Sequence, residues 1–403
     1  MSKWNVFLAA ISLVFAAITS PSLRASEPAA PNSYQIEDLS RITLDELRQR
    51  AERAEADAQA ELASRYLNGD RGVSENSDEA LRWARLAAAQ GHPAGQLILG
   101  YFYSNGLGVE RDNQEALRLY RRSAEQGFAD AQYVMGTHFE FGGDEKWTAE
   151  QNGKEAVHWY RLAADKGNPG AQFRLGLHHL NGWTVAKDSV EAVRLFRLAA
   201  DKGLPEAQRA LASQYFTGTG VAQDKAEAVR LLRLAADQGL TGAQFDLASL
   251  YFDGNGVARD PSEALRWFRR AADQDHPEAI LAVANAYFAG IGVPQDKAEA
   301  MRWYVRRAER IDTHQLLVLG DVYYKGEIVP QDKAEAVRLW RLAVEKRADG
   351  QAAFNLGRMY EQGDGVPLNR DEALRFYRRA VISGHPDAQA RLNALESKTA
   401  GSR

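Results

Sequence analysis

The stretch Ala207-Gln208-Arg209-Ala210-Leu211-Ala212-Ser213-Gln214-Tyr215-Phe216-Thr217-Gly218-Thr219-Gly220-Val221 decides the fold. Leu211, Ala212 and Tyr215 stand at i, i+1 and i+4, the spacing of one buried helical face. Gly218 follows where a helix end often needs a residue at positive φ. A second segment then opens on Asp224 and Glu227, passes through Ala228, Leu231-Leu232 and Ala235-Ala236, and closes on Gly239. The unit is a pair of antiparallel helices, A and B, of about 36 residues, a length in the range of solenoid repeats.

Working outward, the slot of Ala207 recurs at Ala58, Gly95, Ala131, Ala171, Ala243, Ala279, Gln315 and Ala352, with a last partial copy at Ala388. Glycine ends helix A at Gly69, Gly106, Gly142, Gly182, Gly218, Gly254, Gly290, Gly326 and Gly363. Each helix B is expected to start with a capping box. The pairs are Asn76/Glu79, Asp112/Glu115, Asn152/Glu155, Asp188/Glu191, Asp224/Glu227, Asp260/Glu263, Asp296/Glu299, Asp332/Glu335 and Asn369/Glu372. These acids are structural and do not read as paired catalytic carboxylates. Two arginine rungs follow along helix B: Arg82, Arg118, Arg194, Arg230, Arg266, Arg302, Arg338 and Arg375, then Arg121, Arg197, Arg233, Arg269, Arg341 and Arg378. A basic stripe for an acidic partner is one reading. The favoured one pairs each first-rung Arg with the Glu three residues before it, so that the field largely cancels.

The 403 residues carry 50 Lys and Arg against 54 Asp and Glu, a net charge of −4, which gives no basic footprint for nucleic acid. No cysteine is present, which excludes disulfides, thiolate metal sites and a lipidated cysteine. At the N-terminus Lys3 precedes an apolar stretch, Val6 to Ile18, and small residues from Ser20 to Ser26. That order predicts a secretory signal peptide over 1–25, hence a periplasmic or secreted bacterial protein, with an uncleaved anchor as the alternative. No apolar run suffices for a stable membrane span in the mature chain. A flexible linker is expected over 26–40 and an N-terminal capping helix over 41–55, opened by Thr43 and Glu46. Nine repeats over 56–387, a C-terminal capping helix over 388–396 and a tail over 397–403 complete the division.

The pattern Ala-x-Ala-Gln-x-x-Leu-Gly-x-x-Tyr-x-x-Gly-x-Gly-Val, continued by Asp, Ala, Trp-Tyr, Ala-Ala and Gly, resembles the Sel-1-like repeat family, relatives of the tetratricopeptide repeat. Ala131-Gln132, Gly136, Ala156, Trp159-Tyr160, Ala163-Ala164 and Gly167 carry it closely. The resemblance implies an all-α, right-handed αα superhelical solenoid whose A helices line a concave groove. It further implies a role in assembling or regulating other proteins. Repeat three departs by extra residues over Gly143 to Gly153, including Trp147, expected as a loop. Repeats six to eight lose the closing Gly, with Asp275, Ile311 and Arg347 in its place.

On tetratricopeptide geometry three A-helix slots face the groove. One holds Phe216, Phe252, Phe288 and Tyr324; a second Ser213, Ser249, Asn285 and Asp321; a third Phe173, Phe245, Leu281, Leu317 and Phe354. Aromatic anchors beside small polar groups suit a protein partner. Packing between A helices is the competing reading of the aromatic slot. His138, His178 and His179 cluster in repeats three and four and are the only candidates for a metal, though their spacing matches no familiar ligand set. No cofactor is expected. Ser-x-x-Lys, Gly-x-Ser-x-Gly and His-Glu-x-x-His motifs are absent, so no enzyme is expected. The expectation is a non-catalytic scaffold binding a partner protein in the groove. Alternatives are a periplasmic regulator that sequesters a receptor's sensor domain, and a cell-wall or β-lactam hydrolase.

Overall fold

The computed structural model describes residues 39, 42–70, 72–143 and 146–400. The signal-peptide expectation and most of the linker lie outside them. Among the described residues the chain is helical, without strands, and consecutive helices pack in pairs as an αα solenoid. It divides into two compact units, Met1–Ala235 and Ala236–Arg403.

In the first unit a capping helix α1 (Leu44–Glu52) precedes α2 (Ala56–Asn68), α3 (Ser77–Ala89), α4 (Pro93–Asn105) and α5 (Asn113–Glu125). Then come α6 (Ala129–Phe141), α7 (Ala149–Asp165), α8 (Pro169–Asn181), α9 (Ser189–Asp201), α10 (Pro205–Thr217) and α11 (Lys225–Asp237), which runs just past the boundary. The second unit holds α12 (Thr241–Asp253), α13 (Pro261–Asp273), α14 (Pro277–Ala289), α15 (Lys297–Arg310) and α16 (Leu316–Lys325). It ends with α17 (Lys333–Arg347), α18 (Gly350–Gln362), α19 (Arg370–Ile382) and α20 (Ala388–Ala400). The last helix runs past 396, and its Ala388, Leu392 and Leu395 join the second unit's core.

A small residue on helix A meets a ring on helix B. A Cβ at Gly136 would lie 2.5 Å from Tyr160, at Gly176 2.6 Å from Phe196, and at Gly320 2.5 Å from Trp340. Glycine here is a matter of space, and each of these rings is almost fully buried. The Gln of the Ala-Gln signature is a tether: Gln132 Nε2 donates to Ala124 O (3.2 Å) and Gln172 Nε2 to Ala164 O (3.2 Å). Each adds a side-chain donor to a carbonyl in the last turn of the preceding helix B, which also accepts from the closing Gly amide (Gly127 N and Gly167 N, both 2.9 Å).

The capping boxes are half formed. Asp188 Oδ1 accepts from the amides of Val190 and Glu191, both at 3.0 Å; Asn76, Asp112 and Asp260 repeat this, and Asp224, Asp296, Asp332 and Asn369 accept from the Glu amide. The cap residue's own amide, however, donates to the A-helix carbonyl at the Tyr slot, as Asp224 N does to Tyr215 O (2.9 Å) and Asp296 N to Tyr287 O (2.9 Å). The Glu is thereby left for the Arg three residues on. All eight first-rung arginines make that ion pair, from Arg82–Glu79 (3.2 Å) to Arg375–Glu372 (3.0 Å).

Repeat three corrects the expected cap. Its helix B starts at Ala149 on Thr148, with a full capping box to Gln151, and Asn152 lies inside the helix. The extra residues therefore add a turn to α7, 17 residues against the usual 13, and do not simply lengthen a loop. The lost closing glycines are absorbed differently. Asp275 and Ala348 take positive φ themselves (61° and 52°), whereas Ile311 keeps φ −126° and a 3-10 turn, Thr313–Gln315, leads into a short α16.

Candidate interaction surface

The aromatic slot lies in the last turn of helix A, where the chain turns toward helix B. Its carbonyl is held by a side chain seven residues on: Gln223 Nε2 to Phe216 O (2.7 Å), Arg259 Nε to Phe252 O (3.0 Å), Gln295 Nε2 to Phe288 O (2.8 Å) and Gln331 Nε2 to Tyr324 O (2.7 Å). A cation also stands over the rings, Lys225 over Phe216 at 5.5 Å, Arg259 over Phe252 at 5.9 Å and Lys297 over Phe288 at 5.9 Å. Phe252 and Phe288 are each 37% exposed. Phe216 and Tyr324 are half-buried. Tyr324 packs on Trp340 at 5.4 Å, and its hydroxyl donates to Asp364, which Lys333 also holds.

The second slot is mixed. Ser213 is exposed in the first unit. Ser249 turns its hydroxyl back to Phe245 O (3.0 Å). Asn285 is exposed and accepts from the Tyr304 hydroxyl at 2.6 Å. Asp321 is half-buried and accepts from Trp340 Nε1 at 3.1 Å; burial pushes its carboxyl above the ordinary range. The third slot faces packing. Phe245 stacks on His276 with centroids 4.5 Å apart, and Phe354, buried, stacks on His385 at 4.1 Å. These two rings serve the interior of the second unit, so the exposed aromatic surface there narrows to Phe252 and Phe288.

The histidines belong to a polar network in the first unit. Tyr160 donates to Glu140 at 2.5 Å, with the Arg174 guanidinium 3.8 Å from the same carboxylate and over the Phe141 ring at 4.9 Å. Tyr133 also bonds to Arg174. Burial, then Glu140, raises the Tyr160 hydroxyl well above its usual range. His178 bonds Thr184 Oγ1 at 2.8 Å, and burial lowers its pKa although Glu140 draws it back. The His138 ring is buried edge-on to Phe139. Among the described residues no group of three His, Asp or Glu is placed to hold a metal ion.

His179 stands apart. It lines a cavity of about 420 Å³ with Arg161, Asp165, Glu191, Arg194 and Lys202. Sequence reading passed over Arg161, although its register, one repeat before Arg197, would have placed it on the second rung. Trp147 and Trp183 are also exposed here, at 40% and 60%, and Trp147 stacks on Phe139.

No helix among the described residues is long and apolar enough to cross a membrane. The Sel1 repeat profile matches residues 56–92, 93–128, 129–168, 169–204, 205–240, 241–276, 277–310, 316–347 and 350–385. No curated protein matches the chain. Among solved structures, c5321, described as a protective antigen of uropathogenic Escherichia coli with an SLR fold, is 30% identical over 88% of this chain and 82% of its own, with a TM-score of 0.39. A Sel1 repeat protein from Oxalobacter formigenes is 28% identical over 93% of this chain and 99% of its own, with a TM-score of 0.46. With nine copies filling most of its length, the chain belongs to the Sel1 repeat family, whose solenoid is in general a scaffold for protein–protein interaction.

Proposed function

We propose that this protein is a non-catalytic scaffold of the bacterial envelope that holds a partner protein on the A-helix surface of its second unit. The signal-like order of residues 1–25 supports export. The observation that carries the binding surface is the pair Phe252 and Phe288, each 37% exposed and each beside a cation. Aromatic rings left partly open at one slot of consecutive repeats suit a segment that inserts apolar side chains, and Arg259 and Lys297 favour carboxylates beside them.

The test is capture of a partner by tagged residues 26–403 from crosslinked envelope extract, with Phe252→Ala/Phe288→Ala in parallel. The double variant loses the partner and keeps its helicity, because neither ring is buried. A partner held equally by both forms overturns the surface. Neutralising the two cations, Arg259→Gln with Lys297→Gln, weakens the same capture and makes it less sensitive to added salt.

A further inference from the structure

At the Tyr slot of helix A the hydroxyl commonly accepts from an arginine on the preceding helix B. Arg48 donates to Tyr66 (3.0 Å) and Arg197 to Tyr215 (3.0 Å) in the first unit, and Arg269 to Tyr287 (3.1 Å) and Arg341 to Tyr360 in the second. Repeat four has His179 in this slot, and the matching arginine, 18 residues earlier, is Arg161. The imidazole is shorter than a phenol and does not bond to that guanidinium. Arg161 is exposed with no hydrogen-bond or ion-pair partner among the described residues, and His179 Nδ1 is buried without one. Both residues line the cavity.

We propose that this cavity binds a carboxylate carried on an apolar stem. Its walls include Leu175, Leu195 and Leu198, which suit the stem. Of its charged groups, Glu191 is held through both oxygens by Arg194 at 2.7 Å, which cancels that pair. Lys202 donates to Gly167 O (2.6 Å) and keeps its charge. Arg161 and Lys202 then outweigh Asp165, so the site favours an anion. Arg161 offers an unused planar fork that matches a carboxylate. The ligand replaces the phenol that fills this slot in neighbouring repeats.

Such a carboxylate comes either from a free organic acid or from the C-terminus of a polypeptide. Saturation-transfer NMR on residues 26–403 with 3-phenylpropionate, with Gly-Gly-Phe, and with the amide of each separates the sources. Binding of at least one carboxylate is expected, with neither amide bound, and the tighter of the two carboxylates names the source. His179→Tyr restores the phenol opposite Arg161, fills the cavity and weakens binding at least about tenfold, while melting no lower than the parent protein. Arg161→Gln gives the same loss without filling the space. Failure of both carboxylates to bind, equal binding of the amides, or undiminished binding by His179→Tyr overturns the proposal. The partner-capture variants at Phe252 and Phe288 leave this binding unchanged.

Discussion

Repeats three and four of the first unit and repeats six and seven of the second use one helical template to opposite ends. In the former, Gly136 and Gly176 let Tyr160 and Phe196 sink to 0% exposure. In the latter the same slots hold Ala248 and Ala284. The rings opposite sit higher, Phe268 at 7% and Tyr304 half-buried, and meet Phe252 and Phe288 edge-on with centroids 6.5 Å apart in each pair. One methyl group per repeat thus goes with how deep helix B's aromatic residue sits, fully closed in the first region and shallower, against an exposed A-helix ring, in the second. At Tyr160 the sunk ring carries its hydroxyl inside as well, and Glu140 and Arg174 build the network that satisfies it.

The comparison is tested most severely by removing the ring in both regions. Tyr160→Ala empties a closed site and removes the short hydrogen bond to Glu140, and a loss of about 3–5 kcal/mol in chemical unfolding is expected. Tyr304→Ala removes a ring already part-solvated and bonded only to the exposed Asn285, so about 1–2 kcal/mol is expected. Equal losses would show that the Gly/Ala difference does not set the depth of the ring.

The repeats, their helices and the caps were legible because each rests on short-range chemistry written nine times, such as Asp224 ahead of Glu227 or Gly218 after Tyr215. The ladder pairs of Arg with Glu at i+3 were legible for the same reason. The amide of Asp224 donating to Tyr215 O was not, since a carbonyl leaves no trace in residue identity. The added turn at Thr148 was hidden because Asn152 offers an equally good cap in the usual register, and helix length alone decides between them. In the site, Phe252 and Phe245 look alike on a helical wheel. Only the positions of His276 and Phe268 show that Phe245 is stacked inside while Phe252 keeps an open face. The tyrosine missing at His179 is visible in the sequence, but Arg161 is marked only by the Arg–Tyr bond of other repeats, which residue identity does not reveal.

A smaller effect follows from acid. His178 and His92 have pKa values lowered by burial; Glu140 opposes this for His178, and Asp57, at 2.7 Å, for His92. The unfolded chain takes up these protons near the ordinary histidine value of about 6.5, the folded unit only at lower pH. The unfolded state therefore binds more protons between the two values, and stability falls as pH drops through that window. Urea melts between pH 7.5 and 5 should show this loss, and His178→Asn should flatten part of it. Hydrogen exchange should place it in the first unit; a loss confined to the second would break the assignment.

The smallest effect sharpens the comparison by being the same on both sides. Arg194 in the first unit and Arg266 and Arg302 in the second each pair with a Glu three residues before, and all three side chains are more than half exposed. A pair so open to solvent gains little from Coulomb attraction and loses side-chain freedom. Replacing any of the three by Ala should therefore change stability by less than about 0.5 kcal/mol. Double-mutant cycles with Glu191, Glu263 and Glu299 read this pairwise energy directly. Equal small couplings would mean that the two regions share an energetically neutral B-helix surface and differ only in what their A helices carry. A coupling several times larger at Arg194 would instead tie Glu191 to the cavity at His179, because the carboxylate would then be held for the ligand's sake and not merely solvated along the helix.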